Sequence, residues 1–187
     1  MGTRPGRSPQ DAMRKVWQEL NAGYGWIVDA DLRQLFDTID QEKLIDLIAE
    51  EISDGRVLHL VRDMLRAGVM EGGCWQPTVT GVPQGGVASP LWSTIFLTPF
   101  DRRMIAEGFR LTCWADDVVV LCRTRAEAQR AMAIAERFLR EEWGVGRQPQ
   151  KTRIVQVSQG FEFLGYQVKQ GAGHRRPAHK RRGRANP

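Results

Sequence analysis

Apolar positions recur with a helical period after Ser8-Pro-Gln-Asp11: Met13, Val16, Trp17 and Leu20 share one face before Asn21-Ala-Gly23 ends the run. Ser8 supplies a cap, Pro9 the first helical position and Asp11 an acid in the first turn. From Tyr24 to Leu32 the pattern becomes that of a strand, with Trp26 and Val28 apolar. Asp37-Thr-Ile-Asp40 leads into a helix with Leu44, Leu47, Ile48 and Ile52 inward. Ser53-Asp54 caps another, bearing Val57, Leu58, Val61, Met64 and Leu65 and stopped by Gly68. Residues 69–80 alternate weakly, as a hairpin around Glu71-Gly-Gly73. Ser89-Pro90 opens a helix through Leu91, Ile95 and Phe96; Pro99 is expected to disturb it before Met104 and Ile105.

The run Val118 to Leu121 predicts a buried strand, and Phe109, Leu111 and Cys113 a second one just before it. Thr124-Arg-Ala-Glu127 is a capping box for a helix with Ala128, Met132, Ala135, Phe138 and Leu139 on one face, closed by Gly144 and Gly146. Lys151 to Val157 and Phe161 to Tyr166 are two further strand-like stretches. Short strands interleave with longer helices, and the central hairpin makes the core antiparallel. The class is α+β.

Composition narrows the setting. With 187 residues, 42% hydrophobic and 26% charged, the chain is one domain or a large piece of one, able to bury a substantial core. No apolar run approaches a membrane span and no signal-peptide core opens the chain, so no membrane partner is expected. Cys74, Cys113 and Cys122 lack metal-ligand spacing, and the expected location is the reducing cytoplasm. The net charge of +5 is uneven. Arg175, Arg176, Lys180, Arg181, Arg182 and Arg184 stand without an acid; removing these six from 27 basic residues leaves 21 against 22 acids. Residues 169–187 are therefore read as a basic, disordered tail that either binds phosphates or keeps the protein soluble.

The candidate chemistry lies in the acids. Asp116 and Asp117 sit side by side between two apolar strands, where adjacent negative charges repel and burial is costly. Either they form an ordinary turn, or a cation such as Mg²⁺ answers them with oxygen coordination. A further acid arrives from 85 residues upstream of Asp116: Asp31, which shares one side of its strand with Asp29. Gly81-Val-Pro-Gln-Gly-Gly86 is either punctuation or a loop whose backbone N–H groups approach a ligand. Arg4-Pro-Gly-Arg7 is either a solvated turn or a contact to a phosphate backbone. Carboxylates gathered around two divalent ions are what in-line nucleotidyl transfer requires.

The chain resembles the palm of a reverse transcriptase of the bacterial, group II intron-encoded type. The matching stretches are Arg4-Pro-Gly-Arg-Ser8, Asp29-Ala-Asp-Leu-Arg-Gln-Leu-Phe-Asp37, Gly81-Val-Pro-Gln-Gly-Gly-Val-Ala-Ser-Pro-Leu91, Trp114-Ala-Asp-Asp117, Gln148-Pro-Gln-Lys-Thr152 and Phe163-Leu-Gly-Tyr166. They follow the family's order across residues 1–168. The resemblance implies an antiparallel palm sheet packed on helices, with partial fingers and no recognisable thumb. It implies RNA-directed DNA synthesis with two Mg²⁺ ions (Mn²⁺ being able to substitute), an RNA template, a DNA or RNA primer and dNTP substrates. Intron RNA is a further expected partner, as is a second copy or a fragment supplying fingers and thumb in trans.

By position, Asp31, Asp116 and Asp117 are the implied metal ligands, with Asp29 a neighbouring second acid. Gln84 and the backbone of Gly85 border the nucleotide, and Phe36 lies under its sugar. Lys151 helps protonate the leaving pyrophosphate. Arg4 and Arg7 reach template, and Phe163, Leu164 and Gly165 hold the primer end. Two residues depart from the family pattern: Trp114 replaces the usual Tyr, keeping a stacking surface without its hydroxyl, and Thr3 replaces a usual Phe. The alternatives are an RNA-binding protein that assists splicing, and an inert remnant. An RNA-templated RNA polymerase shares the palm logic, but Phe36 leans toward a deoxynucleotide product.

Overall fold

A computed structural model describes residues 8–31, 39–71, 73–76, 78, 80–82, 88–114, 117–144 and 152–169; of Asp31, Val69 and Glu71 it describes the backbone alone. The first helix, α1 (Pro9–Asn21), starts on a full capping box: the Asp11 N–H donates to Ser8 Oγ at 3.3 Å, and the Ser8 N–H donates to Asp11 Oδ2 at 2.9 Å. After it come β1 (Trp26–Asp31), α2 (Gln41–Ala49), α3 (Gly55–Arg66), β2 (Val69–Glu71) and β3 (Cys74–Gln76). The second half holds α4 (Ser89–Ala106), β4 (Arg110–Trp114), β5 (Asp117–Cys122), α5 (Arg125–Glu141), β6 (Arg153–Gln156), β7 (Phe161–Phe163) and β8 (Tyr166–Val168). Asp40, Asp54 and Thr124 cap α2, α3 and α5 by accepting backbone N–H bonds.

Four strands form the central sheet in the order β4–β5–β1–β6, each pairing antiparallel. Strand alternation divides its residues between two cores. Val28, Ala30, Val118, Val120 and Cys122 belong to the larger core, together with residues of α2 to α5. Ile27, Val119 and Leu121 belong to the other, with Ala12, Met13 and Val16 of α1 and Phe161, Phe163 and Val168 of the β7–β8 hairpin. Strand β5 is thus covered from both sides, which is why Val118 to Leu121 is one unbroken apolar run. Lys15 on α1 reaches over β4, an edge strand, and donates to the Leu111 carbonyl at 2.7 Å. Burial of that ammonium lowers its pKa, with Glu19 pulling the other way.

Three expectations change. Helix α4 runs without a break through Pro99. Proline removes one backbone bond, at a cost of about 3 kcal/mol. On both sides of it the helix buries Phe96, Leu97, Phe100 and Met104, and burying each such side chain contributes about 1.5–3 kcal/mol. Phe96 and Phe100 meet Trp143 at ring separations of 4.7 and 6.0 Å, and Phe138 closes the cluster 5.6 Å from Phe100. Packing outweighs the missing bond. Ile52, expected inward, lies beyond the end of α2 and is exposed. The stretch Phe161 to Tyr166 folds back on itself, pairing Phe163 with Tyr166 across a two-residue turn. Among the described residues, no helix is long and apolar enough to cross a membrane.

Candidate metal and nucleotide site

Register places the acids. Along β1 and β5, Val28 pairs with Val120, Asp29 with Val119, Ala30 with Val118 and Asp31 with Asp117. Alternation puts Asp29 and Asp117 on the face of the sheet that carries Ile27, Val119 and Leu121, and the backbone of Asp31 pairs opposite Asp117. Directly opposed residues on antiparallel strands have Cβ atoms about 4.5–5.5 Å apart, and like charges there are destabilising by about 0.2–1 kcal/mol. The sheet therefore ends in a carboxylate position facing a carboxylate position. On the other side of Asp117 stands Trp114, its partner on β4, packed against the smaller core. The indole can wall one flank of the acids with an apolar surface. Asp117 is half-buried, so its charge is only partly screened by water.

Asp29 has a different neighbour. Arg153 on β6 lies directly opposite it, and Arg153 Nε and Nη2 both approach Asp29 Oδ2, at 2.9 and 2.8 Å. The resemblance alone sets Asp29 apart from the implied metal ligands; in the structure it carries this ion pair to Arg153. Arg153 itself escaped the sequence reading. The signal for it was its place two residues after Lys151, on the same side of a predicted strand.

Ile39 and Gly81 are far apart in sequence but hydrogen-bonded: the Gly81 N–H donates to the Ile39 carbonyl at 2.9 Å. Phe36 precedes the one in the sequence, and Gln84 and Gly85 follow the other. The Gln41 amide donates to the Gly81 carbonyl at 3.0 Å, with the Leu65 and Thr78 carbonyls each at 3.4 Å. Gly81 has φ of 76°, a left-handed conformation in which a Cβ would be strained. Gln41 thus ties the entrance of the glycine loop to the start of α2, a role that sequence reading did not assign.

At the β7–β8 turn both central residues are left-handed, Leu164 at φ 53° and Gly165 at φ 78°. That is the backbone of a type I′ hairpin turn. Leu164 packs partly against the smaller core, so the turn is pinned to the same layer that lies beside the acids.

The sequence candidates divide accordingly. Asp117, Phe163, Leu164 and Gly165 are described, and Asp31 by its backbone; Arg4, Arg7, Phe36, Gln84, Gly85, Asp116 and Lys151 lie outside the described residues. Among the described residues no group of three or more His, Cys, Asp or Glu side chains is placed to hold a metal. The donor set nevertheless suits a hard divalent cation: opposed aspartates offer carboxylate oxygens and no soft ligand. The thiols stay apart from this chemistry. Cys113 and Cys122 are buried and free; burial pushes the Cys122 thiol up to about 12, and raises Cys113 as well.

Comparison with known proteins decides the family. Residues 1–168 match the family described as reverse transcriptase (RNA-dependent DNA polymerase). The chain belongs to it. Protein YkfC of Escherichia coli K12 is 28% identical over 205 residues, covering 89% of this chain and 54% of that protein. The group II intron-encoded protein LtrA of Lactococcus lactis is 38% identical over 101 residues, covering 54% of this chain and 17% of that protein. The chain therefore spans about half of the one relative and a smaller part of the other. Apo telomerase from Candida tropicalis shares the fold, with a TM-score of 0.64 at 13% identity, over 87% of this chain and 35% of that one. The α+β palm expected of a reverse transcriptase is the architecture found.

Proposed function

We propose that this chain is the palm of an RNA-directed DNA polymerase, joining deoxynucleotides to a primer 3′-hydroxyl along an RNA template. The observation that carries this reading is the pairing of Asp31 with Asp117 at the end of the central sheet. In a family that copies RNA into DNA, opposed acids at that place serve as oxygen donors for divalent cations, which we take to be two Mg²⁺ ions. When bound, such ions lower the pKa of an attacking hydroxyl and stabilise the leaving oxygen.

The chain's own residues do the rest. Asp31, Asp116 and Asp117 supply the site's negative charge, a reading supported by the β1–β5 pairing that sets the Asp31 backbone opposite Asp117. Gln84 and Gly85 border the incoming nucleotide while Gln41 anchors the loop that bears them. Phe36 lies against the sugar and excludes a 2′-hydroxyl. Lys151 gives a proton to the departing pyrophosphate. The Phe163-Leu164-Gly165 turn holds the primer end, with Arg4 and Arg7 on the template backbone. Similarity to a group II intron-encoded protein supports a group II intron-type retroelement as the source, with intron RNA as a further partner.

The test is primer extension by the 187-residue chain on an RNA template, with dNTPs or NTPs, with Mg²⁺ or with chelator. The reading expects deoxynucleotide addition that needs both template and metal. Extension that persists in chelator, or that uses NTPs as readily as dNTPs, contradicts it.

A further inference from the structure

The end of the central sheet far from the acids carries charge of the other sign. Trp26 pairs with Cys122, and Asp31 pairs with Asp117 five residues further along β1. The two ends therefore lie roughly 17 Å apart at about 3.4 Å per residue. Tyr24 stands just before β1, Arg123 just after β5 and Arg110 at the start of β4. Both arginines meet one aromatic ring: the Arg123 guanidinium carbon lies 4.7 Å from the Tyr24 ring centroid, and that of Arg110 5.7 Å. The ring packs partly against the smaller core, which fixes its place. A hydrogen bond from Arg123 lowers the Tyr24 pKa, and the charge of Arg110 acts in the same direction.

The two arginines differ in what else holds them. Arg110 Nη1 pairs with Glu19 Oε1 at 3.1 Å, on a side chain only 12% exposed. Arg123 is exposed, and among the described residues no carboxylate lies within ion-pair distance of its guanidinium. Glu127, the nearest acid in sequence, accepts from the Arg123 backbone N–H at 2.8 Å. Stacking on a ring orders a guanidinium while leaving its planar fork of N–H groups available, and that fork matches the oxygens of a phosphate.

We propose that Arg123, ordered by the Tyr24 ring that it shares with Arg110, is a phosphate-binding site for the backbone of single-stranded RNA, separate from the site of the acids. The choice of RNA as the polyanion rests on the copying function proposed above; the geometry of the site does not. A phosphate contact there positions a strand and reads no base. It grips RNA at the end of the sheet opposite the chemistry, so that the strand is held while nucleotides are added elsewhere.

The experiment is the affinity of the full 187-residue chain for a labelled single-stranded RNA oligonucleotide, across a series of KCl concentrations without dNTPs or divalent cation. Arg123→Gln should weaken binding about three- to tenfold and flatten the log–log salt dependence by about 0.7, the value for one phosphate contact on a single strand. Arg123→Lys keeps the charge and should keep the parental slope. It loses the planar fork, so its affinity should fall between those of the parent and Arg123→Gln. Tyr24→Leu should also keep the slope and lower affinity, because the guanidinium is no longer ordered. Arg125 is an exposed arginine two residues on, with no ring contact among the described residues. Arg125→Gln should lower affinity less than Arg123→Gln does. Replacing part of the KCl by inorganic phosphate at constant ionic strength should preserve the difference between the parent and Arg123→Gln.

Parental affinity and slope in folded Arg123→Gln overturn the proposal. So does weakened binding at an unchanged slope, which a merely structural role for Arg123 would give. Equal losses in Arg125→Gln and Arg123→Gln describe a diffuse basic surface and overturn it too. A difference that vanishes in inorganic phosphate assigns the site to the free anion and overturns the RNA proposal. If Arg123→Gln fails to fold, Arg123→Lys decides: parental affinity overturns the proposal, and weakened affinity at the parental slope supports it. Primer extension separates this inference from the function beneath it. RNA binding that depends on Arg123, in a chain that adds no nucleotide, removes the polymerase reading alone. Parental RNA binding by Arg123→Gln, in a chain that does extend a primer, removes this proposal alone.

Discussion

A leucine held at φ 53° brings its Cβ close to its own carbonyl oxygen, at a cost of roughly 1–2 kcal/mol that glycine avoids. Leu164 accepts that conformation beside Gly165, where Asn-Gly is the usual pair for such a turn. Packing against the smaller core returns part of the cost. Local strain kept at the turn proposed to hold the primer fits a side chain that serves the substrate. Leu164→Asn should leave overall stability within about 1 kcal/mol, because relieved strain offsets the missing packing. It should raise the KM for primer–template several-fold; an unchanged KM would show that the turn does not touch primer. Phe36→Ala tests the sugar contact, and should raise ribonucleotide incorporation relative to deoxynucleotide. A selectivity ratio that does not move assigns the gate to another residue. At this scale the acids were legible because adjacent and alternating carboxylates in apolar strands need a counter-charge. Arg153 and Gln41 were not, because each acts on a partner that only folding brings near: Arg153 lies 124 residues from Asp29, and Gln41 lies 40 from Gly81.

The register of β1 on β5 is the element on which the site depends, and it is fixed by apolar alternation. A slip by one residue would exchange Val28 and Ala30 with Asp29 and Asp31, sending acids into the larger core. That core is closed by α4 and α5 through Phe96, Phe100, Phe138 and Trp143. Phe100→Ala should therefore destabilise the fold by about 3–5 kcal/mol, read as a lowered midpoint in denaturant. A change below about 1 kcal/mol would mean that α4 is held elsewhere. Caps and apolar periodicity made α1, α3 and α5 legible in outline, and the Val118–Leu121 run marked β5. Two features resisted. Pro99 obeys a local rule that buried packing along α4 overrides. The β7–β8 hairpin turns on a left-handed leucine, which no turn propensity anticipates.

For the whole molecule, the last residues are strongly basic while the rest of the chain is nearly neutral. Residues 170–187 lie outside the described structure, so the tail's role rests on its composition. We expect it to bind phosphate backbones without reading bases. Truncation after Lys169 should weaken binding to every RNA sequence alike. It should also flatten the dependence of affinity on salt, by about 0.7 in log–log slope for each phosphate that the tail no longer neutralises on single strands. Matching slopes for the two chains would assign the binding charge to the folded domain.

The copying activity proposed for this chain turns on the opposed positions of Asp31 and Asp117 on β1 and β5 serving metal-dependent chemistry. Single-nucleotide addition to a primer on an RNA template, compared between the parent and Asp31→Asn at saturating Mg²⁺, reads that out. Circular dichroism shows whether the variant is folded, and template affinity whether it still binds. Addition should fall by about a hundredfold to a thousandfold, on the scale of losing one group that stabilises charge in the transition state, while fold and template binding persist. Addition at the parental rate by folded Asp31→Asn protein would contradict this role for the acids.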